Sequence, residues 1–103
     1  MSSTQQTVRL PRRVVKVGGT YYMTYTGYDG VSARLGLATS LDLRRWTKHG
    51  PLFPNFRTRT VDKPWSKSGA ILTTPLDGRY FMYFGDVDIY YATSRDLIHW
   101  TPG

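Results

Sequence analysis

The chain has 103 residues, of which 40% are hydrophobic and 20% charged, which suits one small globular unit or a piece of a larger protein. It contains no cysteine, which excludes disulfide frameworks, thiolate nucleophiles and cysteine metal sites. The net charge of +7 favours an anionic partner. It would also arise if the chain were a fragment separated from acidic neighbouring parts of a larger protein. No apolar run could span a membrane and the N-terminus lacks a signal-peptide core, so we expect a cytoplasmic protein with no membrane partner.

The first half of the chain predicts an antiparallel meander of four short strands. β-Branched and aromatic residues, which favour strands, dominate four segments that are separated by glycine-containing or polar turns. The predicted strands cover residues 13–17, 20–26, 33–39 and 46–49. Residues 1–12 are polar and then basic, and we expect them to be disordered or frayed.

The same pattern restarts after an irregular segment that is rich in proline and basic residues. Strand-like segments cover residues 68–74, 79–84 and 89–93, and a motif that ends in Trp100 closes this second unit. The prediction for the second half is therefore another meander of the same kind.

A ten-residue motif occurs in both halves. Residues Ala38–Thr47 read ATSLDLRRWT and residues Ala92–Thr101 read ATSRDLIHWT, with seven identical positions and an offset of 54 residues. Four strands per unit, repeated at this period, are typical of propeller blades. The sequence therefore predicts an all-β fold. Its expected parts are a frayed N-terminus over 1–12, a first blade over 13–50, an inter-blade loop over 51–66 and a second blade over 67–103.

The shared pattern S-x-D-L-x-x-W is interpreted as a folding element and not as a ligand site. Its serine and aspartate side chains can accept hydrogen bonds from backbone N–H groups two or three residues further on. We expect the leucine, Leu43 or Leu97, to pack under the turn. We expect the tryptophan, Trp46 or Trp100, to begin the outer strand and to cover its blade.

Taken together, these residues resemble glycoside hydrolase family 130, the β-mannoside phosphorylases and related mannosidases. The resemblance rests on the runs RVVKVGGTYYMTYTGYDG, ARLGLATSLDLRRWTKHGP, KSGAIL and DGRYFMYFGD, and it covers roughly residues 13–101. It implies a five-bladed β-propeller with the sugar site on its central axis. This chain would supply two four-stranded antiparallel blades, a partial five-bladed propeller.

The resemblance also implies a general-acid aspartate just before the strand over 13–17, in a family segment E-D-P-R. The corresponding residues here read RLPRR, which places Leu10 or Pro11 on that aspartate. No acidic residue occurs before Asp29. We therefore expect no catalytic residue in this chain and no activity of the chain alone.

A partial phosphate and sugar site follows from the same resemblance. Lys67, in the run WSKSGAIL, matches a family cation, and inorganic phosphate would be the co-substrate of a phosphorylase; we expect no other cofactor and no metal. Gly85 stands where the family has a second cation, and this loss is more compatible with the hydrolytic branch of the family or with decay of the site. The candidate sugar-binding residues are Tyr28, Asp29 and Asp86.

Each of these candidates also has a structural interpretation. The segment YDG can be a plain turn in which aspartate serves the turn geometry. Asp86 and Asp88 can form a polar turn, although two carboxylates at this spacing could also share acid–base work or bind a cation. Lys67 can pair with Asp62 or Asp86 at the base of a loop.

Three further features are assigned to structure or surface. Trp65 could stack on a sugar, but a loop tryptophan more often packs on its own blade. His49 and His99 fall on the outer strands, where we expect solvated surface. The basic segment over 56–63 lacks any nucleic-acid-binding module, so we expect no nucleic-acid partner.

The best-supported hypothesis is part of a glycoside-active propeller that acts on β-mannosides through phosphate or water, with an oligosaccharide or mannoside as its partner. The alternative is a non-catalytic carbohydrate-binding or self-assembling module, in which copies associate through open blade edges.

Overall fold

The structure, a computed structural model, describes residues 12–58, 63–85 and 88–103. They form two four-stranded antiparallel sheets, with strand orders β1-β2-β3-β4 and β5-β6-β7-β8. The strands are β1 Arg12–Val17, β2 Thr20–Tyr28, β3 Ala33–Ser40, β4 Thr47–Pro51, β5 Ala70–Ile71, β6 Tyr80–Gly85, β7 Ile89–Ser94 and β8 Thr101–Pro102. These described residues contain no helix, and so none long and apolar enough to cross a membrane. The two predicted meanders are confirmed.

Two tight turns set the register of the hairpins. The β1–β2 turn contains Gly18, whose φ of 62° suits glycine. The β5–β6 turn has Asp77 and Gly78 at φ values of 52° and 74°, and Leu76 and Arg79 exchange backbone hydrogen bonds of 2.8 and 3.0 Å across it. An Asp-Gly pair with both φ values positive matches the twist of the strands on either side.

The two copies of the repeated motif make the same hydrogen bonds to backbone N–H groups, and the second copy adds a side-chain bond between His99 and Asp96. Ser40 accepts from the N–H of Leu43 at 2.8 Å, and Ser94 accepts from the N–H of Leu97 at 2.8 Å. Each motif aspartate accepts two further backbone N–H groups. The interpretation of this motif as a folding element is confirmed.

Burial differs between the two copies. Leu97 is 4% exposed, as expected of a residue under the turn, but Leu43 is 50% exposed, so the expectation is wrong for Leu43. Trp46 and Trp100 each precede the outer strand and belong to the turn, because each indole N–H donates to the carbonyl of the motif leucine. Leu97 and Trp100 of the second motif are buried in the same cluster as Leu35 and Leu37 of the first sheet.

The predicted strand over 68–74 is shorter than expected. Only Ala70–Ile71 forms β5, and Ser68, with a φ of 60°, interrupts the extended backbone just before it. Pro75 and the Asp77–Gly78 turn follow closely on the other side.

The core lies between the two sheets. Its buried members come from both halves and from the connecting segment: Leu35, Leu37, Phe53, Ile71, Met82, Phe84, Ala92, Leu97 and Trp100. Phe53 stacks on Phe84 with ring centroids 4.7 Å apart, and Phe56 contacts Phe84 and Tyr90, each at 5.1 Å. The segment between the sheets therefore fills part of the core through two aromatic rings.

Candidate functional site

The residues from Trp65 to Gly69 run as a strap along the first sheet before the chain enters β5. The N–H of Ser66 donates to the carbonyl of Ala33 at 2.8 Å, and the Ser66 hydroxyl accepts from the N–H of Leu35 at 3.0 Å. The Thr24 hydroxyl donates to the carbonyl of Gly69 at 3.0 Å. These bonds satisfy side chains that are buried, since Ser66 and Thr24 are each 2% exposed.

The strap also contacts the second sheet. The N–H of Gly85, at the end of β6, donates to the carbonyl of Lys67 at 2.8 Å. The N–H of Ser68 donates to the Thr26 hydroxyl at 3.3 Å. Ser68 holds a positive φ, which is costly for a residue with a side chain and is often found at functional sites. The backbone around Lys67 is thus fixed from both sheets.

Trp65 lies at the centre of a cluster of aromatic and cationic side chains, which we call the Trp65 cluster: Tyr28, Lys63, Trp65 and Lys67. The Nζ atoms of Lys63 and Lys67 lie 5.5 and 5.7 Å from the centroid of the Trp65 ring, within cation–π range. The Tyr28 ring meets Trp65 edge to face at 6.1 Å. The backbone of Trp65 pairs with that of Ala33 in a parallel bridge, so this segment lies along β3 of the first sheet.

Asp29 organises the turn between β2 and β3. Its Oδ1 accepts from the N–H groups of Ser32 and Val31, at 2.7 and 2.9 Å, and its Oδ2 accepts from the Arg34 guanidinium at 2.9 Å. These bonds, those of the two backbone groups first and that of Arg34 after them, lower the pKa of Asp29 to about 2. Asp29 is therefore a carboxylate at neutral pH, with no proton to donate.

Beside this turn is an open groove of about 290 Å³. It is lined by aromatic rings, glycine backbone and one ion pair: Tyr25, Gly27, Tyr28, Asp29, Arg34, Gly36 and Pro51. Arg34 also donates through Nε to the carbonyl of Pro54 at 3.1 Å. This bond links the groove to the segment of chain that connects β4 to β5. Aromatic faces combined with a fixed carboxylate and guanidinium are suited to a polar ring such as a sugar.

The structure brings two of the residues singled out from the sequence into one cluster. Tyr28 and Lys67 both contact Trp65, while Asp29, next to Tyr28, is directed towards Arg34. Asp86 lies outside the described residues, as do Leu10, Pro11 and Asp62.

Sequence reasoning missed Arg34 and Lys63. The spacing K-x-W-x-K over residues 63–67 was the available signal for the two lysines that flank one indole. No local pattern pointed to Arg34, whose pairing depends on how the β2–β3 turn closes.

Gly85, which stands where the resemblance implies a second cation, cannot be replaced by a side chain without rearrangement. Its φ is 146°, and a Cβ atom added there would overlap the carbonyl oxygen of Asp88. The local backbone thus excludes a lysine or arginine at this position in its present conformation.

Comparison with known proteins gives consistent matches. The family model described as beta-1,4-mannooligosaccharide phosphorylase, that of glycoside hydrolase family 130, matches residues 7–102. A 1,2-beta-oligomannan phosphorylase of Thermoanaerobacter sp. (strain X514) is 34% identical over 92 residues, which are 85% of this chain and 28% of that protein.

Solved structures agree with this match. A glycosyl hydrolase from Bacteroides ovatus superposes with a TM-score of 0.77 at 38% identity, over 89% of this chain and 28% of that one. A second structure, described as showing that the mannoside phosphorylases of this family include glycoside hydrolases that target beta-1,2 mannosidic linkages in Candida mannan, gives a TM-score of 0.77 at 36% identity. That match covers 97% of this chain and 32% of the other.

The chain thus spans about a third or less of the length of these relatives. Its two sheets are two blades of the five-bladed propeller that the family forms, which confirms the predicted fold class. The match over residues 7–102 shows that the chain belongs to glycoside hydrolase family 130.

Proposed function

We propose that this chain supplies one side of a β-mannoside site in a family 130 enzyme that cleaves the mannosidic bond with phosphate or water. The observation that supports this most directly is the Trp65 cluster, in which an exposed tyrosine and two lysines surround one indole. Aromatic rings can stack on the apolar face of a sugar, and lysines can bind phosphate or a sugar hydroxyl.

Within this proposal Lys67 is the phosphate-binding residue, and Tyr28, Asp29 and Asp86 bind the substrate. The backbone carbonyl of Lys67 accepts a hydrogen bond from the N–H of Gly85, and its Nζ lies over the Trp65 ring. Lys67 is therefore anchored beside an aromatic surface. Asp29 serves as a fixed acceptor for sugar hydroxyls, because its low pKa keeps it ionised. Gly85 leaves the site without a second cation at that position, which favours water over phosphate as the nucleophile.

The chain alone is inactive in this proposal. General-acid assistance contributes about 10²–10⁴-fold to such reactions, and no acidic residue precedes Asp29 in the sequence. Incubation of the pure chain with β-mannobiose, with and without phosphate, is expected to release neither mannose nor mannose 1-phosphate. Sustained release in proportion to the protein concentration would refute this.

Binding can be tested separately from catalysis by calorimetry with inorganic phosphate and with a β-mannoside. Lys67→Ala is expected to weaken phosphate binding at least tenfold. Lys16→Ala is a matched control, because Lys16 also lies over an aromatic ring, that of Tyr21 at 5.2 Å, but on β1. Equal phosphate affinity in the Lys67→Ala and Lys16→Ala variants would remove Lys67 from the site.

A second candidate is a non-catalytic carbohydrate-binding or self-assembling module. Two facts favour it: no acidic residue precedes Asp29 in the sequence, and Asp29 itself is ionised and has no proton to donate. An experiment in which the chain is assembled with the remaining blades of a family member distinguishes the two candidate functions. Turnover by that assembly supports an enzyme part, whereas mannoside binding without turnover supports a binding module.

A further inference from the structure

The repeated motif forms an open pocket in each sheet. The pocket of the first sheet has a volume of about 450 Å³ and that of the second about 430 Å³. Small-molecule sites typically have volumes of about 300–1,000 Å³. Four lining positions carry the same residues in both sheets, 54 positions apart: Thr39, Ser40, Asp42 and Thr47 in the first sheet, and Thr93, Ser94, Asp96 and Thr101 in the second. The fold therefore builds the same pocket twice.

The other three lining positions differ in charge between the two pockets. They are Thr20, Leu41 and Arg45 in the first sheet, and Arg79, Arg95 and His99 in the second. Arg79 takes the place of Thr20, because each directly precedes the residue that pairs in register with the motif serine. In the first pocket the charge of Arg45 is balanced by that of Asp42. The second pocket has two arginines and one aspartate, so it carries an excess of positive charge.

The aspartate of the second pocket is occupied within its own turn. Its Oδ1 accepts from the N–H groups of Ile98 and His99, at 2.9 and 2.8 Å, and from the Ser94 hydroxyl at 3.0 Å. Its Oδ2 lies 2.7 Å from the Nδ1 atom of His99. A carboxylate has about four lone-pair sites, so these four bonds use the acceptor capacity of Asp96.

The two arginines, in contrast, are exposed and have no anionic partner nearby. Within the described ranges 12–58, 63–85 and 88–103, neither the Arg79 nor the Arg95 guanidinium forms an ion pair or a side-chain hydrogen bond. The charge of both groups is therefore available to a ligand of the pocket.

This pocket lies at the end of the second sheet that is remote from the Trp65 cluster. Strand β6 begins with Tyr80, directly after Arg79, and ends with Gly85, whose N–H donates to the Lys67 carbonyl. Five residue steps of an extended strand span about 17 Å. The pocket is therefore separate from the proposed sugar site, and an inference about it does not depend on that proposal.

A neighbouring sheet leaves such a pocket open. Thr39 follows Leu37 by two positions on β3, so both lie on the face whose leucines pack against the second sheet. The first pocket is open beside this contact, although the chain continues from Thr47 into β4 and on to the second sheet. The second pocket has the equivalent place at the margin of its own sheet, so a further sheet packed there would leave it accessible.

We propose that the pocket of the second sheet, which we name the Arg79 pocket, binds a phosphate group between the guanidinium groups of Arg79 and Arg95. Guanidinium groups present paired N–H donors whose spacing matches the oxygens of phosphate. The hydroxyls of Thr93 and Thr101, which are partners in the register of β7 and β8, are further donors. The phosphate is inorganic or belongs to a small ester such as a sugar phosphate, because the group recognised is the same in both.

The test is a ¹H–¹⁵N NMR titration of the chain with inorganic phosphate at constant ionic strength. The amide signals of Thr93, Arg95 and Thr101 report on the Arg79 pocket, and that of Lys67 reports separately on the proposed sugar site. The pocket signals are expected to shift and to saturate. Arg79→Thr and Arg95→Leu, which install the residues of the first pocket, should each weaken this binding at least tenfold.

A second titration distinguishes the two sources of phosphate. A hexose 6-phosphate that binds at least tenfold more tightly than inorganic phosphate identifies an ester as the ligand, and equal affinities identify the free anion. Either result supports the proposal. Binding of the unphosphorylated hexose at these signals, as tight as that of its phosphate ester, would overturn it.

Control variants separate a built site from general attraction to a basic chain. Arg13→Gln and Arg44→Gln each remove one positive charge from an exposed position that lines neither pocket, and both should leave the affinity unchanged within about twofold. The spectra show whether each variant is folded, and Arg79→Gln or Arg95→Gln replaces one that is not.

The reciprocal change provides a gain of binding. Thr20→Arg combined with Leu41→Arg gives the first pocket both arginines, and its signals, Thr39 and Thr47, should then respond to phosphate with an affinity within about tenfold of that of the Arg79 pocket. The proposal is overturned if the wild-type pocket signals do not saturate, or if the control variants weaken binding as much as Arg79→Thr does. A folded double variant that gains no phosphate binding overturns it as well.

Discussion

Trp46 and Trp100 occupy the same position of the same motif and make the same hydrogen bond, but they differ in burial. The Trp46 indole donates to the Leu43 carbonyl at 3.2 Å and the Trp100 indole donates to the Leu97 carbonyl at 3.0 Å. Trp100 is 7% exposed, packed between the sheets, whereas Trp46 is half-buried on the outer side of the first sheet. The local turn is fixed by sequence, and the burial is fixed by what packs against it.

The two tryptophans should therefore contribute unequally to stability. Trp100→Ala leaves a cavity in the core, and we expect a cost of about 3–5 kcal/mol, a large part of the stability of a chain of this size. Trp46→Ala is expected to cost less than half as much, because less of its side chain is removed from water. Urea unfolding at a dilution where the chain is monomeric measures both, and equal costs would contradict the burial shown here.

The two serines of the motif, unlike the two tryptophans, should contribute equally to stability. Ser40 and Ser94 are 5% and 4% exposed and accept the same two backbone N–H groups in their turns. We expect Ser40→Ala and Ser94→Ala to cost about 1–2 kcal/mol each, and to agree within about 0.5 kcal/mol. Equal costs for the serines with unequal costs for the tryptophans would separate turn chemistry from packing, and the same unfolding curves provide both comparisons.

The meanders and turns were predictable because they depend on neighbouring residues. Alternating apolar residues, glycine turns and the serine and aspartate of the motif act over a few positions, and both halves fold as those patterns indicate. Leu43 shows where this reasoning stops. The motif around Leu43 is the same as the motif around the buried Leu97. The exposure of Leu43 depends instead on whether another sheet packs against its side of the first sheet.

The site was predictable only in part, for a similar reason. Tyr28 and Lys67 were identified individually, but their shared contact with Trp65 depends on the path of the strap, which Ser68 directs through an unusual backbone angle. Serine has no preference for that angle, so no sequence pattern indicates it. The pairing of Arg34 with Asp29 likewise depends on turn closure.

Acid should destabilise the chain between about pH 4 and pH 2 through Asp29. The pKa of this carboxyl falls from its ordinary value of 3.8 to about 2 in the folded chain, so the unfolded chain binds more protons in that interval. Stability is then fully present above pH 4 and declines as the pH falls towards 2. Asp29→Asn should melt at a lower temperature than the wild type at pH 6, and most of the difference should be lost at pH 2.

Arg34→Gln refines this prediction. The two backbone N–H bonds lower the pKa more than the Arg34 guanidinium does, so removal of the guanidinium should keep most of the pH dependence. A melting profile against pH that is as flat for Arg34→Gln as for Asp29→Asn would assign the effect to the ion pair instead.

Gly85 should not tolerate any side chain. Its φ of 146° is disfavoured for other residues, and a Cβ atom would overlap the Asp88 carbonyl oxygen. We expect Gly85→Ala to cost at least about 1–3 kcal/mol, from backbone strain and overpacking. Gly19→Ala is the matched control, because no atom lies within 4 Å of the Cβ position at Gly19, and it should be neutral within about 1 kcal/mol.

The same geometry predicts how an attempt to complete the phosphate site would fail. Gly85→Lys supplies the cation that the family resemblance implies at this position, but the backbone must change before the side chain can be accommodated. That change alters the Gly85 N–H bond to the Lys67 carbonyl, 2.8 Å in length, which helps to hold the strap. The variant should therefore bind phosphate no more tightly than the wild type in a calorimetric titration, and it should melt at a lower temperature. A gain in phosphate affinity without loss of stability would show that Gly85 is not what keeps a second cation out of the site.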